Sequence, residues 1–440
     1  MSEHRMVFAQ PQWSLLQFSE AVTAYRGQIQ RYQQQTDNFK SLKVLLYDED
    51  IAVFSVKLFA LSAQHCHIYL AANDQPDTLS ELKAQCDAYA LPNEDCFSGC
   101  VPLKASQIVR PQTLMDCWPE QGTVSFFTSG STSKARAVTK QWFQLNRELE
   151  RLEELFPCDR ASVSLATVGH QHIYGLLFAL LLPLKQGLCI YPRFAYPEHL
   201  LPVLKQQSGV LVSSPAHLKR LAVDNTLVEV RQGLCKVFSS GGPLADSVAL
   251  RLASQLKQPV TQIYGSTESG GIAWRQLVDE PCPWQPFPEI RVENHSDGLV
   301  LYSPWADDRP LLLTDWGEVL ADGRFQLLGR TDRTIKLEEK RLDLNVMESR
   351  LNQHCWVEEC RLLPLNSQSR TVLGAVVLLT SEGKVALRKM GNWQVKQQLR
   401  NYLHGYFELI CLPKKWRYPS QLPVNTQGKT PLAELEALFD

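Results

Sequence analysis

Thr128-Ser129-Gly130-Ser131-Thr132-Ser133-Lys134-Ala135-Arg136-Ala137-Val138 is the stretch on which the reading of this chain turns. Ahead of it runs Val124 to Phe127, a short apolar segment with the character of a buried strand. Behind it Trp142, Leu145, Leu149, Leu152 and Phe156 recur at three- or four-residue spacing, which predicts an amphipathic helix. The order is therefore strand, hydroxyl-rich loop, helix. Such a loop suits phosphate: its N–H groups are free, its hydroxyls donate, and Lys134 and Arg136 bring positive charge. Ser, Thr and Gly are also common turn residues, so alone the stretch reads equally well as an ordinary polar loop. It is not the G-x-x-x-x-G-K-[ST] loop, because no second Gly precedes Lys134 and no Ser or Thr follows it.

Further clusters follow in the chain. Tyr264-Gly265-Ser266-Thr267-Glu268 ends a strand with a carboxylate beside a Gly, an arrangement suited to Mg²⁺ shared with a triphosphate, or to a plain turn with a solvated Glu. Ser240-Gly241-Gly242-Pro243 lets a flat ligand approach the backbone, or makes a tight turn. Asp315, in Leu313-Thr314-Asp315-Trp316-Gly317, has the two acceptors a diol needs, or faces water. Gly329-Arg330-Thr331-Asp332-Arg333-Thr334-Ile335-Lys336 reads as a charged turn, and Lys429 as a solvated cation after Gly428.

Together these clusters resemble the adenylate-forming enzymes: acyl-CoA synthetases, adenylation domains of peptide synthetases and firefly luciferase. The family loop reads roughly T-S-G-S-T-G-x-P-K-A-V. Here Ser133 stands for its Gly, Ala135 for its Pro and Arg136 for its Lys. Y-G-x-T-E is matched in full, T-G-D-x-G at Asp315 and Gly317, G-R-x-D-x-x-I-K throughout, and P-x-x-x-x-G-K at Pro423 to Lys429. The resemblance implies that Thr128, Ser129, Gly130, Ser131, Thr132 and Lys134 hold phosphates. It implies that Gly241, Gly242, Tyr264, Gly265 and Ser266 line the nucleotide, that Asp315 takes the ribose, and that Arg330 reaches the ribose or a phosphate. Glu268 becomes the Mg²⁺ ligand, Thr267 a phosphate contact, Lys429 the catalytic lysine and Asp332 a hinge. The acyl pocket is implied near His172, Tyr174, Gly270 and Gly271. The family places a Gly beside its pantetheine tunnel where this chain has Glu339.

A chain of 440 residues exceeds one compact core, so two or three domains are expected. Hydrophobic content of 44% and charged content of 21% are those of an ordinary globular protein. A net charge of −1 gives no reason to expect nucleic acid or an acidic membrane surface. Twelve cysteines are scattered without zinc-type pairs, and no signal-type segment opens the sequence, so a cytoplasmic protein is expected. The apolar run Ile173 to Leu184 is too short to span a bilayer and is interrupted by Pro183.

Strands at Lys43–Tyr47, His67–Ala71, Val163–Thr167, Leu188–Tyr191, Val210–Ser213, Val237–Ser240 and Thr261–Tyr264 alternate with helices, among them 10–36, Ile51–Ala63, Leu79–Ala88, Tyr174–Leu182 and 246–256. That order predicts an α/β fold with doubly wound, mostly parallel sheets. Prolines 281, 283, 286 and 288 mark a change of texture into a small antiparallel, barrel-like part. The expected division is 1–329, an N-terminal domain binding ATP and acid, and 330–440, a mobile α+β lid carrying the lysine.

The activity implied is Mg²⁺- and ATP-dependent: a small carboxylic acid attacks the α-phosphate, and the acyl-AMP passes to acyl carrier protein or coenzyme A. No Asp aligns where an amino-acid enzyme of the family would hold an amino group, which points to a fatty or aromatic acid. The short chain is similar to a bacterial subgroup that loads carrier protein in aryl-polyene or fatty-acid gene clusters. From Thr331 onward sixteen Lys and Arg face twelve Asp and Glu, a cationic balance that an acidic carrier protein would match. Two other readings stand beside this: a nucleotide-binding relative without turnover, suggested by Ser133, Ala135, Thr314 and Glu339, and an amino-acid-activating enzyme.

Overall fold

A computed structural model describes residues 5–36, 41–99, 114–128, 136–194, 196–223, 225–278, 282–306, 310–330, 333–337, 340–367, 370–423 and 432–439. Two compact units result. One comprises Met1–Ile290 with Ser303–Arg309, the other Arg291–Tyr302 with Pro310–Asp440.

The first unit is built on two sheets. The larger has nine strands. At its centre Cys189–Ile190, Val163–Ala166, Gly209–Ser213, Leu234–Ser239 and Thr261–Ser266 run parallel, while Gly270–Gln276 returns antiparallel against the last of these. Gly209–Ser213 is buried along its whole length, the continuous apolar pattern of a strand covered on both faces. One face packs on Leu218, Leu221, Leu252 and Leu256 of the helices Pro215–Val223 and Asp246–Leu256. The smaller sheet has the order Ala88–Ala90, Lys43–Leu46, His67–Leu70, Thr123–Thr128, Arg136–Gln141. The alternation of strand and helix read from the sequence is thus the architecture found.

Four local readings are corrected. The hydroxyl loop does not lead straight into a helix: Arg136–Gln141 first returns antiparallel along Thr123–Thr128, and Trp142–Leu155 follows it. The helix expected over 10–36 begins at Leu15, after Met6–Ala9 and Gln12–Ser14 pair as a two-stranded entry, and Ser14 caps it with a reciprocal Gln17 bond. The segment read as a helix over Leu79–Ala88 is helical from Pro76 to Lys83, and Ala88 opens a strand. Pro183 does not end its helix. The turns Leu176–Leu181 widen to the π register just before it, and Pro183 lies in the first turn of Leu182–Gln186, where its missing N–H is not needed.

Helix Ile51–Ala63 reads as a helix with a broad apolar face, and Lys57 is buried in it. Its Nζ lies 3.1 Å from Asp48 and 3.5 Å from Asp95, and the Tyr25 hydroxyl donates to Asp95 at 2.8 Å. The cluster ties helix Leu15–Gln35 to helix Ile51–Ala63 and to the loop carrying Asp95.

In the second unit Arg291–His295, Gly298–Tyr302 and Leu311–Leu312 form one small sheet, and Asp315–Val319 pairs with Phe325–Arg330 as a hairpin. Beyond them Val357–Ser367 and Arg370–Leu379 form a long antiparallel pair, with Lys415–Arg417 parallel to the second. Helices Leu344–Asn352 and Ser381–His404 cover it through Leu344, Met347, Leu351, Val395, Leu399 and Leu403.

Replacing Lys57 by Met is expected to destabilise the protein by about 3–5 kcal/mol, because the buried Asp48 and the partly buried Asp95 are left without their cation. Equilibrium denaturation in urea measures this, and a loss below about 1 kcal/mol refutes the buried-pair account.

Candidate active site

Strand Thr261–Ser266 delivers the Tyr264 to Glu268 cluster to the end of the large sheet. Tyr264 is half-buried, its ring 5.5 Å from that of Trp284. At Gly265 the space of a Cβ is already filled by the Gly270 carbonyl, so only glycine lets the two strands close up there. The next four residues form a clasped turn. Ser266 N–H donates to Ser269 Oγ at 2.9 Å, Ser269 N–H donates to Ser266 Oγ at 3.1 Å, and Ser269 Oγ donates to the Gly270 carbonyl at 2.7 Å. Thr267 and Glu268 sit half-buried at its tip.

Beneath this turn lie two buried charges absent from the sequence-based site. Lys140, on the strand leaving the hydroxyl loop, donates from Nζ to the Glu268 carbonyl at 2.6 Å and to the Trp305 carbonyl at 3.1 Å. Glu148, on helix Trp142–Leu155, accepts the Gly271 N–H at 2.7 Å. The Trp305 indole N–H donates to the Gly271 carbonyl at 2.9 Å. Lys140, Glu148 and Trp305 are 3%, 2% and 0% exposed. Gly270 adopts φ +66°, and a Cβ on it would lie 2.5 Å from Glu148 Oε2 and 2.6 Å from Trp305 Cδ1. A side chain there meets both backbone strain and a filled space. Burial pushes the Glu148 carboxyl up to about 7, against the Gly271 N–H and the Lys140 charge, which pull it down.

A signal for Glu148 existed in the sequence. It lies three residues after Leu145 and four before Leu152, on the stripe that faces inward. Lys140 alternates with the half-buried Val138 on one face of its strand, but a charged residue at that place conceals the strand.

Thr128 ends strand Thr123–Thr128 opposite Arg136. Ser129, Gly130, Ser131, Thr132, Lys134, Asp332, Glu339 and Lys429 lie outside the described residues. Gly241, at φ +85°, and Gly242 are both exposed just after strand Leu234–Ser239; no atom lies within 4 Å of a Cβ at the first, and only Pro215, at 3.9 Å, near the second. That leaves backbone accessible to a flat ligand. His172 is half-buried at the start of helix Ile173–Gly175. Tyr174 is half-buried, with its hydroxyl donating to the Ser213 carbonyl at 3.1 Å and its ring 5.1 Å from Phe178. His170, just before that helix, is packed with its ring 4.4 Å from that of Phe54 and 2.9 Å from the Asp48 carbonyl. Burial lowers it to about 4, so it is a neutral core residue.

In the second unit Asp315 and Arg330 are direct partners across their hairpin. Gly317 makes this possible: a Cβ there would lie 2.6 Å from the Gln326 carbonyl and 2.7 Å from Leu299. Arg333, one residue beyond Asp332, pairs with the buried Glu348, which also accepts the Leu362 N–H at 2.6 Å.

Among the described residues no three His, Cys, Asp or Glu converge as a metal cage. Glu268 offers one hard oxygen donor group. That fits Mg²⁺, which keeps several waters and is completed by substrate phosphates rather than by a protein cage.

A family model described as AMP-binding enzyme matches residues 41–297. A 4-coumarate–CoA ligase of Rhodobacter capsulatus is 24% identical over 326 residues, covering 73% of this chain and 78% of its own. A D-alanine–D-alanyl carrier protein ligase of Listeria monocytogenes is 26% identical over 112 residues, 25% of this chain and 21% of its own. The ATP-bound crystal structure of MatB from Rhodopseudomonas palustris shares the fold, with a TM-score of 0.76 at 16% identity over 99% of this chain and 96% of that one.

A carboxyl raised from 4.5 to about 7 takes up a proton on folding between those values. It therefore lowers stability as pH rises from about 4.5 to about 7 and adds no slope above that. Glu148→Gln keeps an acceptor for Gly271 and carries no charge. The difference in unfolding free energy between wild type and Glu148→Gln is expected to change by on the order of 3 kcal/mol across that window, in favour of the variant at the higher pH. Denaturant melts at half-unit pH steps check it; parallel profiles refute it.

Proposed function

We infer the function from one premise: the chain belongs to the AMP-binding enzyme family. The reading is an ATP-dependent acid–thiol ligase that activates a carboxylic acid as acyl-AMP and passes the acyl group to a pantetheine thiol. The observation that carries it is the clasped turn bearing Thr267 and Glu268, held from below by buried Lys140 and Glu148. A turn anchored that heavily fixes a carboxylate in place, which an ordinary solvated turn does not require.

In the first half-reaction a carboxylate oxygen of the acid attacks the α-phosphorus of ATP. The bond from that phosphorus to the bridging oxygen breaks, and pyrophosphate leaves. Both reactants are anionic, so the protein's task is to fix their approach and offset charge. The acid is already ionised at neutral pH and needs no general base. Thr128, Ser129, Gly130, Ser131, Thr132 and Lys134 are assigned to the departing phosphates, with Thr267 beside them. Tyr264 is assigned to the adenine face, with Gly241, Gly242, Gly265 and Ser266 lining it. Asp315 and Arg330, aligned across their hairpin, are assigned to the ribose hydroxyls. Mg²⁺, when bound at Glu268, supplies positive charge to the phosphates. Lys429 is assigned to the α-phosphate and the attacking carboxylate.

In the second half-reaction a thiolate attacks the acyl carbon and AMP leaves. For this we propose that 330–440 turns as a lid about Asp332 against 1–329, withdrawing Lys429. The Arg333–Glu348 pair gives the lid side of that hinge a fixed end. The acid proposed is aromatic or fatty. Tyr174, Phe178 and Phe238 form a chain of rings at 5.1 Å steps near His172, and the 4-coumarate relative acts on an aryl acid. Gly270 and Gly271 are proposed to border the same region. The acceptor proposed is coenzyme A or an acyl carrier protein, the second favoured by the cationic C-terminal part. Every cysteine among the described residues is a free thiol, which supports a cytoplasmic setting, and no described helix is long and apolar enough to cross a membrane.

An acid-dependent pyrophosphate exchange assay over fatty, benzoic, cinnamic and amino acids is expected to respond to an aryl or fatty acid. Glu268→Gln is expected to slow it by about a hundredfold or more. Lys429→Ala is expected to lose exchange while still transferring a supplied acyl-adenylate to thiol. Absence of exchange with every acid, together with absence of ATP binding, defeats the ligase reading; loss of both half-reactions in Lys429→Ala defeats the turning lid.

A further inference from the structure

We propose that Lys140, Glu148 and Trp305 are positioning residues that set where the Glu268 carboxylate stands, by gripping the backbone at Glu268 and at Gly271, three residues beyond it. This rests on reading Glu268 as the cation ligand. The grip is specific in its targets. Lys140 Nζ reaches the carbonyl of Glu268 itself, at 2.6 Å. Glu148 and the Trp305 indole take the N–H and the carbonyl of Gly271, at 2.7 and 2.9 Å. Lys140 also holds the Trp305 carbonyl at 3.1 Å, and Gln144 donates to the neighbouring Ala306 carbonyl at 3.2 Å, so the three positions form one closed network.

Strand Arg136–Gln141 and helix Trp142–Leu155 supply Lys140, Gln144 and Glu148. They are the elements that follow the hydroxyl loop directly. The network therefore joins the two places assigned to the triphosphate, the loop and the carboxylate turn, through one short piece of chain. An ammonium and a carboxyl buried where they grip backbone are a costly way to hold a turn. That cost fits a turn whose side-chain position matters to within a fraction of an ångström.

Binding of Mn²⁺ to the protein saturated with ATP, followed by electron paramagnetic resonance of the free ion, separates positioning from folding. Glu268→Gln is the reference. Lys140→Met and Glu148→Leu, each removing one buried charged contact, are expected to weaken Mn²⁺ binding by about tenfold. Glu148→Gln keeps the acceptor for Gly271 and is expected to stay within about twofold of wild type. Trp305→Phe keeps the ring, loses one N–H, and is expected to show a smaller loss of the same sign. Should the Met and Leu variants fail to fold, Trp305→Phe against Glu148→Gln decides the matter. Unchanged Mn²⁺ binding in the folded Lys140, Glu148 and Trp305 variants, with Glu268→Gln impaired, overturns the positioning role and leaves the ligase reading intact. Unchanged binding in Glu268→Gln overturns the positioning role together with the reading of Glu268 as the cation ligand, while the exchange assay alone decides the ligase reading.

Discussion

The structure around the proposed site depends on one constraint: Lys140 and Glu148, both buried, are satisfied by main-chain atoms of the Glu268–Gly271 segment. A buried ammonium or carboxylate without partners is far too costly to persist. Here the partners are fixed carbonyls and an N–H. The turn and the charges therefore specify each other. Gly270 completes the arrangement, since its φ of +66° brings the chain round and its missing Cβ leaves room for Glu148 and Trp305.

The same constraint shapes the elements on either side. Strand Arg136–Gln141 has to end with Lys140 turned inward, and the following helix has to present Gln144 and Glu148 on the stripe that also buries Leu145, Leu149 and Leu152. An inward face carrying two polar groups four residues apart is an unusual core stripe. It is stable because Ala306 and Gly271 meet those groups with backbone. A comparable solution holds helix Ile51–Ala63, where Lys57 sits between Asp48 and Asp95. In both cases a charge inside an apolar pattern marks a join between distant segments.

Much of the fold was legible in the sequence because parallel α/β sheets write themselves as apolar runs alternating with amphipathic helices. Gly209–Ser213, Ile51–Ala63 and Asp246–Leu256 are found within a residue of where periodicity put them. Strand Arg136–Gln141 was not legible, since its buried side chain is a lysine and its partner lies across a loop of hydroxyl residues. The Pro183 helix was misread for a local reason: the π register that accommodates the proline depends on packing around Leu176–Leu181, not on sequence pattern. Of the site, the cluster at Tyr264 to Glu268 was legible as chemistry, whereas what holds it was not. Motif reading finds residues suited to touch a ligand, and the contacts that single out Lys140, Glu148 and Trp305 are to the protein's own backbone.

The glycines of the motifs show why that distinction matters. Gly241 stands in open space and leaves backbone exposed, which a planar ligand can use. Gly265 and Gly317 do the opposite: the volume a side chain would take is already occupied by a neighbouring carbonyl, and they let two strands of a hairpin close. At Gly317 that closure keeps Asp315 level with Arg330. The spacing of D-x-G is then a statement about strand pairing as much as about ribose. Two kinds of glycine, one clearing a surface and one permitting a close fit within the protein, look alike in a sequence and are separated only by what surrounds the missing Cβ.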